Sequence, residues 1–209
     1  MTRPTKSTKR RRPTPPFPTQ HQARPGRESA MVPSPQFEAP LYGGAGRLTG
    51  KVALVTGGDS GIGRAAAVLI ARERANVAIA YLPSEQRDAE TTAEAVRAEG
   101  SITGLEGSGH LVDYASTKGA IHAFTKSLAQ HLVDKGIRVN AVAPGPVWTP
   151  LNVADKPAAD VATFGADTPM GRPAQPEEIA PAIVFFASAA DSSFIRGEVL
   201  SLLGGATIA

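Results

Sequence analysis

Lys51-Val-Ala-Leu-Val-Thr56-Gly57-Gly58-Asp59-Ser60-Gly61-Ile62-Gly63-Arg64 is the stretch whose reading decides the fold. Val52 to Val55 is a short apolar run ending on a Thr-Gly-Gly turn, the pattern of a strand buried on both faces. From Ser60 to about Arg74 the apolar residues Ala65, Ala66, Val68, Leu69 and Ile70 fall on the buried side of a helix. Val77 to Tyr81 is a second apolar strand, and the polar segment Ala89 to Glu99 reads as a helix stopped by Gly100. This β-α-β-α order predicts parallel pairing and an α/β, Rossmann-like doubly wound sheet.

The glycines give the turn a chemical meaning. Gly57 permits a tight turn, a later glycine lets backbone amides approach a pyrophosphate, and Gly63 lets the helix pack close to the strand. The helix N-terminus adds unpaired N–H groups and a partial positive charge. Gly57, Asp59, Ser60, Gly61, Ile62 and Gly63 are therefore expected to cradle the diphosphate of a nicotinamide dinucleotide. The Lys-[Ser/Thr] pair of a nucleoside-triphosphatase loop is absent, which disfavours phosphoryl transfer. An acid at the end of the second strand would select NAD, but Ala80-Tyr81-Leu82-Pro83 is neither acidic nor basic. The cofactor is accordingly NAD or NADP.

Further along, the alternation resumes. Asp113 to about Asp134 reads as a long helix with Ala120, Ile121, Phe124, Leu128 and Leu132 on one stripe. Ile137 to Val142 is a strand closed by Pro144-Gly145-Pro146. Residues 151–172 form a Pro- and Gly-punctuated excursion. Pro176 opens a helix to about Ala189, and Glu198 to Leu203 is a last strand. Tyr114 and Lys118, spaced i, i+4, share a face near the start of the long helix. A phenol is a poor acid/base at neutral pH, since it ordinarily titrates at ~10. A neighbouring ammonium stabilises the phenolate and makes the tyrosine usable as a general acid/base.

Thr-Gly-x-x-x-Gly-Ile-Gly, Tyr114-Ala-Ser-Thr-Lys118 and Arg138-Val-Asn140-Ala-Val-Ala-Pro144-Gly145 together resemble the short-chain dehydrogenase/reductase family. The Thr-Gly-Gly-Asp-Ser-Gly-Ile-Gly-Arg wording and the Pro-Gly-Pro-Val-Trp-Thr run are similar to its glucose/ribitol-dehydrogenase-like branch, from about His21 to Ala209. The resemblance implies an NAD(P)-dependent oxidoreductase passing a hydride between nicotinamide and an alcohol or sugar hydroxyl or carbonyl. It implies that Ser101, thirteen residues before Tyr114, helps hold the substrate carbonyl. Tyr114 would move the proton at the carbinol oxygen, and Lys118 would bond the nicotinamide ribose and lower the tyrosine pKa. Pro144, Gly145, Val147 and Thr149 match the stretch along the nicotinamide, and residues 151–172 match a mobile loop closing over substrate.

The chain departs from the family in one place. Gly100 is followed directly by Ser101, where members carry two further strands, a long helix and the start of a third strand. No asparagine occurs between Asn76 and Asn140 to replace those of the missing section. An internal deletion between Gly100 and Ser101 is inferred, leaving about four strands instead of the family's seven. Such a gap between the first strand and the Ile137 strand would expose unpaired backbone groups, at ~1–3 kcal/mol for each buried one. The alternative reading is thus an inactive nucleotide-binding remnant, a pseudoenzyme. Homo-oligomers are open, although the interface helix most members use is among the lost parts.

The remaining sequence sets the context. Residues 1–49 hold nine of the 18 prolines and no periodicity, so they are expected to be a basic, mostly disordered tail, with residues 50–209 forming the domain. Residues 1–30 carry eight Lys/Arg and one acid, Glu28, so the net charge of +3 and the high pI belong to the tail. Lys9-Arg10-Arg11-Arg12 is read as a solvated run rather than a nucleic-acid arm, and the prolines after it break any amphipathic targeting helix. There is no cysteine, which excludes disulfides and thiolate chemistry; no metal site is expected. No apolar run reaches the ~18–20 residues that span a bilayer, so a soluble, cytoplasmic protein acting on a small-molecule alcohol, aldehyde or sugar is expected.

Overall fold

In a computed structural model, residues 11–101, 103–107 and 115–206 are described. β1 (Val52–Thr56), α1 (Gly61–Arg72), β2 (Asn76–Tyr81), α2 (Gln86–Ala98) and β3 (Thr103–Gly107) form the first half. α3 (Ala115–His131), β4 (Ala141–Pro144), α4 (Pro150–Asp155), α5 (Ala158–Ala162), α6 (Pro176–Ala187), α7 (Ala189–Ser192) and β5 (Val199–Leu202) form the second. Every strand pairing is parallel, as the β-α-β order requires: Val52 lies opposite Asn76, Val77 opposite Thr103, and Ala141 opposite Val199.

The strands are distributed differently from the expected single sheet of about four. Described residues form a three-stranded sheet, β1-β2-β3, and a separate two-stranded sheet, β4-β5. β3 was not anticipated: Thr103–Gly107 follows α2 after the tight stop at Gly100 (φ +82°) and adds to the free edge of β2. Among the described residues no strand lies between β1 and β4. β1 therefore ends its sheet with Val52 78% and Leu54 66% exposed.

Helices join the halves instead. α1 buries Ala65, Ala66, Val68, Leu69 and Ile70, as its pattern predicts, against Val77 and Ile79 of β2, Val96 of α2, and Ala180 and Val184 of α6. α2 turns Asp88, Ala89, Thr92, Ala93 and Val96 inward at helical spacing. The stripe expected on α3 packs only in part: Ile121 and Phe124 are exposed, Leu128 and Leu132 are half-buried, the Ala120 side chain lies outside the described residues, and Thr125 and Ala129 are buried.

The expectation of disorder over residues 1–49 is corrected for residues 11–49; residues 1–10 lie outside the described residues. Phe17 and Met31 are buried in a second core with Trp148, Val153 and Val161. The Phe17 and Trp148 rings are 4.3 Å apart, and Trp148 Nε1–H donates to the Pro33 carbonyl at 2.8 Å. At the other end of α1, Glu73 is fully buried and accepts from Tyr42 Oη, Arg47 Nη1 and the Ala45 and Arg47 amides at 2.6–2.9 Å. Proline removes helix and strand periodicity, but it does not prevent isolated apolar side chains from docking into an existing groove. Sequence patterning reads only the first of those effects. Among the described residues no helix is long and apolar enough to cross a membrane.

Candidate cofactor site

The glycine turn leaves the carboxyl end of β1 and enters α1. Gly57 (φ +65°) and Gly61 (φ +52°) take left-handed backbone, and a Cβ on Gly57 would meet nothing within 4 Å, leaving that side of the turn open. A Cβ on Gly63 would come within 1.9 Å of the Gly57 carbonyl oxygen, so glycine is what allows the helix to sit this close to the strand. The amides of Gly57 and Gly58 both donate to the Ala80 carbonyl, at 2.7 and 3.3 Å, locking the turn to the end of β2. These features fit a diphosphate: a turn open on its Gly57 side, at a helix N-terminus and at the carboxyl ends of parallel strands.

The second half delivers its part to the same place. Pro144 ends β4, and the Gly145 amide donates to Leu202 of β5 at 2.9 Å. Val147 bridges to Ala174, and Thr149 then reaches the glycine turn: a Cβ on Gly61 would lie 3.1 Å from the Thr149 Cγ2. Asn152 Nδ2 fixes this corner by donating to the Val147 carbonyl at 2.6 Å and Thr149 Oγ1 at 3.0 Å. Thus Thr149, beyond the carboxyl end of β4, meets Gly61 of the glycine turn that follows β1. Beyond Pro146 lies a cavity of about 210 Å³ lined by Met170, Ile179 and Leu203 among others.

The proposed catalytic residues fare differently. Tyr114 lies outside the described residues. Lys118 falls in the first turn of α3. Ser101 is placed at the amino end of the first sheet, where its Oγ accepts from the Val77 amide at 3.2 Å. The glycine turn contacts Ala80, at the other end of the same strand, roughly 10 Å away at ~3.3 Å per residue. The structure therefore does not bring Ser101 to the cradle. Ser101 lies two residues before β3, which begins at Thr103. Residues 151–172 are likewise folded rather than loose, forming α4 and α5 with Val153 and Val161 buried under Phe17.

Sequence reasoning missed a buried polar cluster beneath the turn. Arg64, 3% exposed, donates to the Asp59 carbonyl through Nε (3.0 Å) and Nη2 (2.7 Å), and to Thr92 Oγ1 (2.9 Å). It also donates to the Asp88 carbonyl (2.9 Å) and to Glu28 Oε1 (2.5 Å). The other oxygen of Glu28 accepts the Gly61 amide at 2.5 Å, while the Glu28 amide donates to Asp88 Oδ2 at 2.8 Å. Burial pushes the Glu28 and Asp59 carboxyls upward in pKa, against the opposing pull of Arg64. A signal was there to read: Glu28 is the sole acid in the first thirty residues, and Arg64 directly follows Gly-Ile-Gly.

The chain is similar to known proteins along most of its length. A family model described as enoyl-(acyl carrier protein) reductase matches residues 99–207. An uncharacterised oxidoreductase of Bacillus subtilis, YhxC, is 37% identical over 279 positions, covering 92% of this chain and 96% of that protein. The glucose and ribitol dehydrogenase of Daucus carota is 36% identical over 284 positions, covering 92% and 97%. Both alignments are longer than the 209 residues of this chain, so each relative carries a long internal stretch that is absent here. Among solved structures, a short-chain dehydrogenase of Burkholderia cenocepacia in complex with NADP superimposes with a TM-score of 0.65 at 22% identity, over 76% of this chain and 98% of that one.

Proposed function

We propose, on the premise that this chain belongs to the short-chain dehydrogenase/reductase family, that Gly57 to Gly63 with Pro144 to Thr149 hold NAD or NADP for an alcohol–carbonyl interconversion. As a member of that family the chain is an NAD(P)-dependent oxidoreductase. The contact of Thr149 with Gly61 carries the assignment of the site, because two stretches nearly ninety residues apart converge on one cradle.

When bound, the dinucleotide supplies or accepts the hydride. The chain's own residues bind and handle protons. The amides of Asp59, Ser60, Ile62 and Gly63 would face the diphosphate, with Ile62 at the start of the helix and the Gly61 amide held by Glu28. Pro144, Gly145, Val147 and Thr149 line the nicotinamide side. Lys118, in the first turn of α3, bonds the ribose and stabilises the phenolate of Tyr114 by its positive charge. Tyr114 then gives or takes the proton at the carbinol oxygen. Ser101 belongs to this reading as the group orienting the carbonyl, a role that requires β3 to release it from Val77. The substrate class is a polyol, sugar or aldehyde, and the protein acts in the cytoplasm.

Steady-state assays with NAD(H) and NADP(H) over a panel of polyols and aldehydes test the proposal. Wild-type turnover should exceed that of Tyr114→Phe by at least ~10²-fold, the usual scale of general acid–base catalysis. Dinucleotide binding with no turnover above the Tyr114→Phe control would leave a nucleotide-binding remnant instead. Ser101→Ala separates the two roles of that serine: a large loss of rate at unchanged melting temperature returns it to the site.

A further inference from the structure

We infer that Arg64 and Thr92 are positioning residues for the diphosphate cradle, and that Glu28 holds Arg64 in place, making the N-terminal segment part of the cofactor site. The inference rests on the cofactor site proposed above and adds what keeps it in shape.

Three donors converge on one carbonyl. Arg64 Nε, Arg64 Nη2 and Thr92 Oγ1 lie 3.0, 2.7 and 2.8 Å from the Asp59 oxygen. A trans peptide is planar, with its C=O and the following N–H on opposite sides. Pinning the Asp59 carbonyl down toward α2 therefore turns the Ser60 N–H up, toward the open face of the turn. A flexible Gly-Gly-Asp-Ser-Gly loop has no such preference by itself, since glycine costs backbone entropy to fix.

Arg64 can serve this purpose only while its charge is answered in the interior. Its side chain is 4% exposed, and the fixed fork of a guanidinium suits it to several acceptors at once. Glu28 supplies the carboxylate at 2.5 Å, and the Phe37 ring lies 5.0 Å from the guanidinium carbon. Both residues belong to the segment ahead of β1. Glu28 is itself held by the Asp88 carboxylate through its amide, and it takes the Gly61 N–H. Among the described residues no hydrogen bond uses the Ile62 or Gly63 amide, so Glu28 occupies the inner rim of the helix end and leaves the outer rim for the ligand.

The test compares wild type, Thr92→Val, Thr92→Ser and Arg64→Lys in the full chain, by hydrogen exchange without ligand and by fluorescence titration with NADPH, or with NADH where that is the form wild type binds. Arg64→Lys keeps the charge and loses the fork, whereas Thr92→Val keeps the shape and loses one donor. The expected result is faster exchange across residues 57–63 in both. NADPH should bind about threefold to tenfold more weakly in Thr92→Val and at least tenfold more weakly in Arg64→Lys. Thr92→Ser should restore wild-type values. In turnover the loss should fall on the KM for the dinucleotide, with kcat within about twofold. Unchanged exchange, or unchanged or tighter NADPH binding in Thr92→Val and Arg64→Lys beside a wild type that binds, overturns the inference. A folded wild type with affinity for neither NADPH nor NADH overturns the cofactor site itself, and this inference with it.

Discussion

Gly63 and Gly57 face each other across the turn so closely that a methyl group on Gly63 would stand 1.9 Å from the Gly57 carbonyl oxygen. The obstacle is backbone, so it cannot swing aside as a side-chain tip would. Gly63→Ala must push α1 away from β1 or distort the turn, at a cost of about 1–3 kcal/mol or more. Gly43 is the control, since a Cβ there meets nothing within 4 Å. Denaturant melts should show Gly63→Ala clearly destabilised and Gly43→Ala within about 0.5 kcal/mol of wild type. Equal midpoints would mean that helix and strand are not this close.

Phe17 against Trp148 makes the N-terminal segment structural. Trp148 is fully buried and Phe17 is 5% exposed, in one cluster with Met31, Val153 and Val161. Truncating a buried phenylalanine typically costs about 3–5 kcal/mol, so Phe17→Ala should lower the unfolding midpoint markedly. Limited proteolysis should then cut first between residues 18 and 36. A variant that melts and digests like wild type would return this segment to the status of a tail.

Glu73 should give the protein an acid-sensitive stability. Burial alone would raise its carboxyl, but hydrogen bonds from Tyr42, from the Arg47 and Ala45 amides and from the Arg47 guanidinium outweigh it and hold it at about 2. A depressed carboxyl contributes stability above its ordinary value of about 4.5, and that contribution is lost as pH falls toward 2. Tyr42 shifts the other way, up to about 12 through burial and the Glu73 carboxylate, so its share is present below pH 10 and lost between 10 and 12. The two shifts describe one shared bond and do not add. Tyr42→Phe should cost roughly 1 kcal/mol at neutral pH and remove the alkaline limb of the stability profile. Chemical melts at pH 3, 7 and 11 check both limbs, and a profile flat from 3 to 7 would contradict the Glu73 assignment.

How far the sequence could be read follows from what kind of signal each part carries. β1, α1 and β2 were legible because continuous apolar runs flank a helical apolar stripe, and the glycines sit where the first run gives way to it. The contact of Thr149 with Gly61 has no local pattern to announce it, and only the resemblance assigned both residues to the cofactor. Glu28 and Arg64 were missed because a buried ion pair leaves no periodic trace, each residue reading as an ordinary surface charge. Ser101 lies away from the glycine turn for another reason. Its expected position depended on a strand before it that this chain does not contain, and Thr103–Gly107 instead completes the edge of β2.

That same loss leaves β1 as an open edge, with Val52 and Leu54 pointing into solvent. An apolar edge strand with unpaired backbone groups is a template for association with another chain, and Phe124 of α3 adds a further exposed ring. The fold gains little from these side chains, because surface substitutions away from buried features usually change stability by no more than ~0.5 kcal/mol. Leu54→Lys should therefore leave the melt nearly unchanged while placing a charge on the edge. Light scattering against protein concentration should show less association for Leu54→Lys than for wild type. A large loss of stability in that variant would mean instead that Leu54 is covered, and that β1 does not end its sheet.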